Sequence, residues 1–319
     1  MRPTALLLPA LLCASVVLQA ADPQLLNMVP PDAKVLAGVN VDQARSSPLG
    51  QFLLASMPTD PSLLQFIAVS GFDPRRDLHE ILVAATAPDK SAAHLFLAKG
   101  SFNVERLLSM VPKTQPLTEQ LYNGTRIFTH GKEAAGTGMA AMFFAFPDSN
   151  TAVAGDLASV QGALDRRGQS STLDASLIQR IATLSSTLDA WALSALPFSS
   201  LSPMGVSPAG PNSKSLMSSE LLNKIQQTSG GIKFGDQVHL IGEAVTGDAK
   251  DATALGDVIK FLVMMVQNQA PAEAAPAVAL IKNLNVVADG TTLRMDLAIA
   301  ESQIETLIAA SKPHSAPKL

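Results

Sequence analysis

The stretch Pro31 to Met57, PDAKVLAGVNVDQARSSPLGQFLLASM, constrains the fold most, because it spells out a strand, a polar turn and a short helix in succession. Val35, Ala37, Val39 and Val41 recur at alternate positions, the period of a half-buried strand. Ser47 is placed to cap a helix whose first residue, Pro48, has no amide to satisfy, and Pro58 ends that helix after Met57. Leu49, Phe52, Leu53 and Met57 share one of its faces.

Later segments repeat the unit with variations. Leu63 to Val69 is a short apolar segment leading into a charged turn, Gly71 to Asp77. Ile81 to Thr86 and His94 to Lys99 read as a hairpin across Pro88 to Ser91, followed by a helix capped by Asn103, carrying Val104, Leu107, Leu108 and Val111 on one face and closed by Pro112. Gly124 to His130, Met142 to Phe146 and Thr151 to Ala154 read as strands, the first entered through the turn Asn123-Gly124. Asp156 caps a helix facing the core with Leu157, Val160 and Leu164. Arg166 and Arg167 suit its C-terminal end before Gly168.

A helical face from Leu177 to Leu184 precedes a strand, Asp189 to Leu196, that carries the only tryptophan, Trp191. Ser199 to Ser219 is crowded with Ser, Pro and Gly and has no period of either kind, which predicts a mobile loop or linker. Beyond it come a short helix, Leu221 to Ile225, a turn at Gly230-Gly231, a strand, Val238 to Val245, and an unusually apolar helix, Asp251 to Gln267. The chain closes with strands Leu284 to Ala288 and Leu293 to Ile299 about Asp289-Gly290, then a helix from Ser302 through Ile304, Leu307 and Ile308.

The expected class is therefore α+β, a mainly antiparallel sheet built from strand-strand-helix units with helices packed on it. Asp32-Ala33-Lys34-Val35-Leu36 has an echo in Asp189-Ala190-Trp191-Ala192-Leu193. The echo fits a duplication with halves near 23–168 and 172–312, and fits equally a set of hairpin-plus-helix units that simply look alike. The expected organisation is a signal peptide at 1–20, an N-terminal α+β domain at 21–198, the linker at 199–219, a C-terminal α+β portion at 220–312 and a disordered tail at 313–319.

Met1 to Ala20 reads as a secretory signal: Arg2 is the positive start, Ala5 to Leu18 the apolar core, and Leu18-Gln19-Ala20 an acceptable cleavage site before Ala21. The apolar run is too short to span a bilayer comfortably. Cys13, the only cysteine, lies within that run and follows Leu12, where a lipid-modification site wants a small residue. Cleavage would remove 20 of the 319 residues, leaving 299, and take Arg2 from a net charge of −4, leaving −5. Such a chain is exported to the periplasm or the exterior, has no disulfide and no transmembrane span, and must rest on its core. Mild acidity counts against nucleic acid and anionic lipid surfaces. Twelve Phe, one Tyr and one Trp are few for a base-stacking or sugar-stacking site.

No catalytic constellation emerges. His79-Glu80 begins like a zinc-peptidase motif, but Val83 stands where the second histidine is required. Gly136 to Ala141 has the letters of a dinucleotide fingerprint but leads into a strand rather than a helix, and Gly205 to Gly210, in the linker, misses a serine-hydrolase elbow by one residue. Neither cofactor nor metal is expected. The candidate interaction surfaces are two. One is the charged turn of Asp73, Arg75, Arg76 and Asp77, which could equally close on itself in surface ion pairs. The other is the second face of the Asp251 to Gln267 helix. There Leu255, Val258, Ile259, Leu262 and Val266 make a complete core stripe, so Phe261, Val263, Met264 and Met265 need a further cover, from this chain, a protein partner or an apolar ligand.

Val29-Pro30-Pro31-Asp32-Ala33-Lys34-Val35, continued by Gly38-Val39-Asn40-Val41 and Ser47-Pro48-Leu49-Gly50, resembles the mature N-terminus of uncharacterised bacterial exported proteins. That resemblance implies an envelope or secreted location and supplies no activity. The reading that follows is a non-catalytic exported protein offering a binding or scaffolding surface in the cell envelope. Its rivals are a carrier of an apolar ligand and, behind that, a hydrolase with dispersed active-site residues.

Overall fold

The computed structural model describes residues 21–56, 61–87, 93–111, 117–129, 141–198, 219–269 and 275–304. Expectations resting on the leader, Met57 to Pro58, Pro88 to Ser91, Pro112, His130, Gly136 to Ala140, Ser199 to Ser218 and the chain after Ile304 lie outside the described residues.

The first half begins with a short helix α1 (Pro23–Met28), the strand β1 (Val35–Asn40), helices α2 (Val41–Ser46), α3 (Pro48–Ser56), α4 (Pro61–Ser70) and α5 (Pro74–Asp77), and the hairpin β2 (Leu78–Ala85) and β3 (His94–Gly100). It continues with α6 (Val104–Ser109), β4 (Thr118–Tyr122), β5 (Thr125–Thr129), β6 (Phe143–Ala145), β7 (Thr151–Gly155) and α7 (Leu157–Arg166). The second half holds α8 (Ala175–Thr187), β8 (Ala190–Ser194), α9 (Ser219–Leu222), β9 (Ile225–Lys233), β10 (Gln237–Thr246), α10 (Ala249–Gln269), α11 (Ala275–Ile281), β11 (Leu284–Asp289) and β12 (Thr292–Ala300).

The twelve strands of the described residues join one sheet in the order β11-β12-β10-β9-β8-β1-β2-β3-β7-β6-β5-β4, and every neighbouring pair is antiparallel. Outward from the central pair β1 and β8, one side runs β1-β2-β3-β7-β6 and the other β8-β9-β10-β12-β11. These are the same order, with the hairpin β4-β5 added at one edge. β8 pairs with both β1 and β9, so the sheet runs unbroken through strands that lie on both sides of Ser199 to Ser219 in the chain.

Helices cover both faces: α1, α7 and α8 lie on the front, and α10 lies on the back of the second half. On the front, Leu36, Leu82, Ala84, Leu95, Leu97, Val153, Trp191 and Leu193 form one core with Leu25, Leu26 and Met28 of α1, Val160 and Ala163 of α7, and Ile181 and Leu184 of α8. A fully buried leucine stabilises by roughly 1.5–3 kcal/mol, so this front core carries the fold. Arg166 of α7 donates to the Met28 carbonyl at 2.8 and 3.1 Å, closing the C-terminus of α1. Burial holds its guanidinium below the usual arginine range, with Asp32 and Asp165 opposing. On the back, α10 packs its Leu255 and Ile259 against Ala244, Val286, Leu293 and Met295 of the second half.

Ser47, Asn103 and Asp156 accept amide hydrogens at the starts of α3, α6 and α7 as expected, at 3.0, 3.1 and 2.9 Å. Asn123 and Gly124, at φ 46° and 78°, make the tight turn between β4 and β5. Several features differ from the sequence reading. The helix expected at Leu221 to Ile225 is α9, which ends at Leu222, and Ile225 opens β9. Val41 does not continue β1; Asn40 caps α2 and Val41 opens it. Leu36 and Gly38, not Val35 and Ala37, point into the deep core. Gly230-Gly231 is not a turn but the middle of β9, where added Cβ atoms would meet the Ile241 and Ala190 carbonyl oxygens at 2.2 and 2.1 Å. Here glycine permits close strand approach instead of chain reversal. Val266 was expected in the core stripe of α10 and is 44% exposed, because the part of α10 packed in the back core ends at Ile259.

Candidate functional site

Among the described residues, no helix covers the back of the sheet where the two halves meet. Val35, Ala37 and Val39 of β1 stand on that face beside Ile81 and Val83 of β2, and beside Ala190, Ala192 and Ser194 of β8, by the alternation of paired positions. Thr228, Gly230 and Ile232 of β9 continue the floor. With Phe198 they line a groove of about 600 Å3 in which no residue is charged. Ala192 is exposed although it lies on a central strand of twelve. Directly behind the floor, on the front face, the Trp191 indole lies against Gly38, where an added Cβ would approach it to 2.6 Å. Beyond the groove the back face of the first half carries a chain of contacting aromatic rings, Phe66, Phe72, Phe102, Phe146, Phe144 and Phe128, with centroids 5.5 to 6.3 Å apart.

A second opening, of about 640 Å3, lies on the front of the second half between α8 and strands β9, β10 and β12. It is polar. Glu243 accepts from Arg180 at 2.9 Å and from Arg294 at 2.9 Å, and Arg180 also donates to Ser229 at 2.7 Å. His239 meets Asp296 at 3.1 Å and His79 meets Asp42 at 3.0 Å, and both histidines are more than a third exposed at the surface. Among the described residues no group of three or more His, Cys, Asp or Glu side chains is placed to hold a metal ion.

The candidate residues of the charged turn satisfy one another. Asp73 caps α5 and takes two bonds from the Arg75 guanidinium, both at 2.9 Å. Asp77 takes two from Arg76, at 2.7 and 2.8 Å, and accepts the Asp73 amide at 2.8 Å. The Arg75 and Arg76 guanidinium groups hold Asp73 and Asp77, respectively, below the usual carboxylate range. Arg45 of α2 ties the turn down through the Arg75 and Arg76 carbonyls. On α10, Phe261 and Met264 are each 56% exposed, while Val263 and Met265 are half-buried. The turn packs beside β2 and this helix beside β10, β11 and β12, on opposite sides of the central pair β1 and β8.

The groove was not among the sequence candidates. Its signal was present in the Val35, Ala37, Val39 alternation, but alternation alone does not say which of the two faces is the covered one.

No family model and no curated protein matches the chain. Solved structures do. Crystal form I of TP0453 is similar over 91% of this chain and 98% of that one, at 11% identity and a TM-score of 0.50. Form III gives 91% and 99% coverage, 10% identity and a TM-score of 0.51, and form IV 90% and 96%, 9% and 0.50. At such identity the likeness shows a shared fold across nearly the whole of both chains. No helix among the described residues is long and apolar enough to cross a membrane.

Proposed function

We propose that this is a non-catalytic bacterial protein, exported to the periplasm or the exterior, that binds an apolar ligand on the back of its sheet. One observation carries the reading: the uncharged groove at the junction of the two halves, floored by Val35, Ala37, Val39, Ile81, Val83 and Ala192. Solvated apolar area of this kind is stabilised by about 25 cal/mol for each Å2 that a ligand covers. The absence of charge in the lining favours a ligand recognised by shape and apolar contact over one held by an anionic or cationic group.

The test is titration of the chain from Ala21 with an apolar naphthylamine dye, read by energy transfer from Trp191 behind the groove floor. Saturable binding that disappears in Ala192→Glu, at unchanged thermal stability, supports the proposal. Unsaturable binding, or binding that the substitution leaves intact, overturns it. A second reading, a scaffolding surface on α10, is favoured by the exposure of Phe261, Met264 and Val266. It requires a protein partner at that face.

A further inference from the structure

Ala21, the first residue after the expected cleavage site, is buried at 6% exposure, and its backbone nitrogen donates to Ser185 Oγ of α8 at 2.9 Å. Ser185 Oγ in turn donates to the Ile181 carbonyl at 2.7 Å. One residue on, the Asp22 amide donates to both carboxylate oxygens of Glu80, each at 3.1 Å. From there α1 drives Leu25, Leu26 and Met28 into the front core. The residues just after the expected cleavage site are thus built into the core instead of trailing from it, contrary to the usual behaviour of termini.

Glu80 stands in β2 between Asn40 of β1 and Lys99 of β3. Lys99 does not spend its charge on Glu80 alone: its ammonium lies 3.1 Å from Asp22 and donates to Gln24 at 2.6 Å. The α8 helix brings Ser185 to this corner, and its one ionisable side chain, Arg180, is engaged with Glu243. Asp189, whose carbonyl accepts the Asn40 amide, turns its carboxylate to Lys233 and the Phe234 amide. Glu80 is therefore a half-buried carboxylate whose cation among the described residues, Lys99, is shared with Asp22.

We infer that Ser185 and Glu80 form a receptor for the ammonium group that cleavage before Ala21 creates. Hydrolysis of the Ala20–Ala21 peptide bond consumes one water, leaves a carboxylate on Ala20 and an amine on Ala21, and that amine takes up a proton below its ordinary pKa of about 8. The nitrogen already seated at Ser185 thereby gains a positive charge one peptide unit from the Glu80 carboxylate. In the uncleaved chain the same nitrogen is a neutral amide, and desolvation pushes Glu80 up to about 7 against the opposing pull of the Asp22 amide and of Lys99, with the Asp22 carboxylate adding to the rise. Removal of the leader converts an unfavourably ionised glutamate into a paired one, so processing tightens the fold. The inference rests on the exported reading only for the occurrence of cleavage at this bond.

The test separates the two. Mass spectrometry of the exported protein reads the processing site, and a terminus other than Ala21 would remove cleavage at this bond, and with it the inferred role, without touching the groove. The receptor itself is tested on chains released in vitro to begin at Ala21, with the amine either free or acetylated, followed by urea unfolding from pH 4.5 to 8. Acetylation keeps the hydrogen bond to Ser185 and deletes only the charge. The acetylated chain should lose at least tenfold in its folding constant between pH 4.5 and 7, as a carboxyl group with a raised pKa must, while the free-amine chain holds steady. In Glu80→Gln the two should coincide. Identical pH profiles, or a difference that survives Glu80→Gln, would overturn the inference. Should Glu80→Gln fail to fold, 15N titration of the Ala21 amine decides: a pKa above the ordinary range supports the pair, and an ordinary value refutes it.

Discussion

Leu36 and Leu193 lie directly opposite each other on the central antiparallel pair β1 and β8, both buried in the front core. They are also the matched last residues of the two echoing segments, Asp32 to Leu36 and Asp189 to Leu193. A pair of equivalent positions that face each other across antiparallel neighbours marks a local two-fold axis perpendicular to the sheet. The matching strand orders on either side of that pair are what such an axis requires. Leu36→Ala and Leu193→Ala should each cost about 2–5 kcal/mol of stability. Because the two side chains share one environment, the double variant should depart from additivity by at least about 0.5 kcal/mol. Urea unfolding of the four chains measures this, and strict additivity would argue that the two halves meet here without coupling.

Two positions along β1, the contact between Gly38 and Trp191 sets the spacing behind the groove. A Cβ at position 38 would lie 2.6 Å from the indole, nearer than real atoms approach, so the ring must move. Gly38→Ala should destabilise by about 1–3 kcal/mol, the usual cost of overpacking, and shift the emission of the only tryptophan toward the red as the ring leaves its pocket. Unchanged emission would mean that the backbone yields instead.

Most elements were legible because their signals are local. Side-chain caps at Ser47, Asn103 and Asp156, and the Asn123-Gly124 and Asp289-Gly290 turns, act within four residues and do not depend on the rest of the fold. β9 was hidden because Gly230-Gly231 is a turn signal taken alone, and only the neighbouring carbonyls of Ala190 and Ile241 show why a strand needs glycine there. β4 was hidden by its polarity, since four of its five residues are exposed at the sheet edge. The groove was hidden for a related reason. Val35, Ala37 and Val39 look like core residues in any window of sequence, and which face of β1 receives α1, α7 and α8 is decided by chain segments far away.

Acid should loosen the charged turn before the core. Asp73 and Asp77 have folded-state pKa values below their ordinary value, so their contribution to stability is present above about pH 4, the unfolded value, and is lost as pH falls through the lowered ones. Asp73→Asn keeps a residue able to cap α5 but removes its charge from Arg75. The acid limb of a stability profile from pH 2 to 5 should be shallower in this variant than in the parent chain. A slope equal to the parent's would place the acid sensitivity elsewhere.

The last expectation concerns α10, where sequence alone treated Val263 and Met264 as one second face. Met264 is 56% exposed, whereas Val263 is half-buried, although they are adjacent in the helix. A glutamate at an exposed helical position changes stability by about 0.5 kcal/mol or less, while an unpaired carboxylate at a half-buried one loses apolar burial and meets a desolvation cost. Met264→Glu should therefore leave the urea midpoint essentially in place, and Val263→Glu should lower it. If α10 is a docking surface, Met264→Glu should also abolish that association while the chain stays folded, a combination measurable by sedimentation beside circular dichroism. Equal destabilisation by the two substitutions would show that the outer side of α10 is covered in solution and that Phe261 and Met264 offer no surface to a partner.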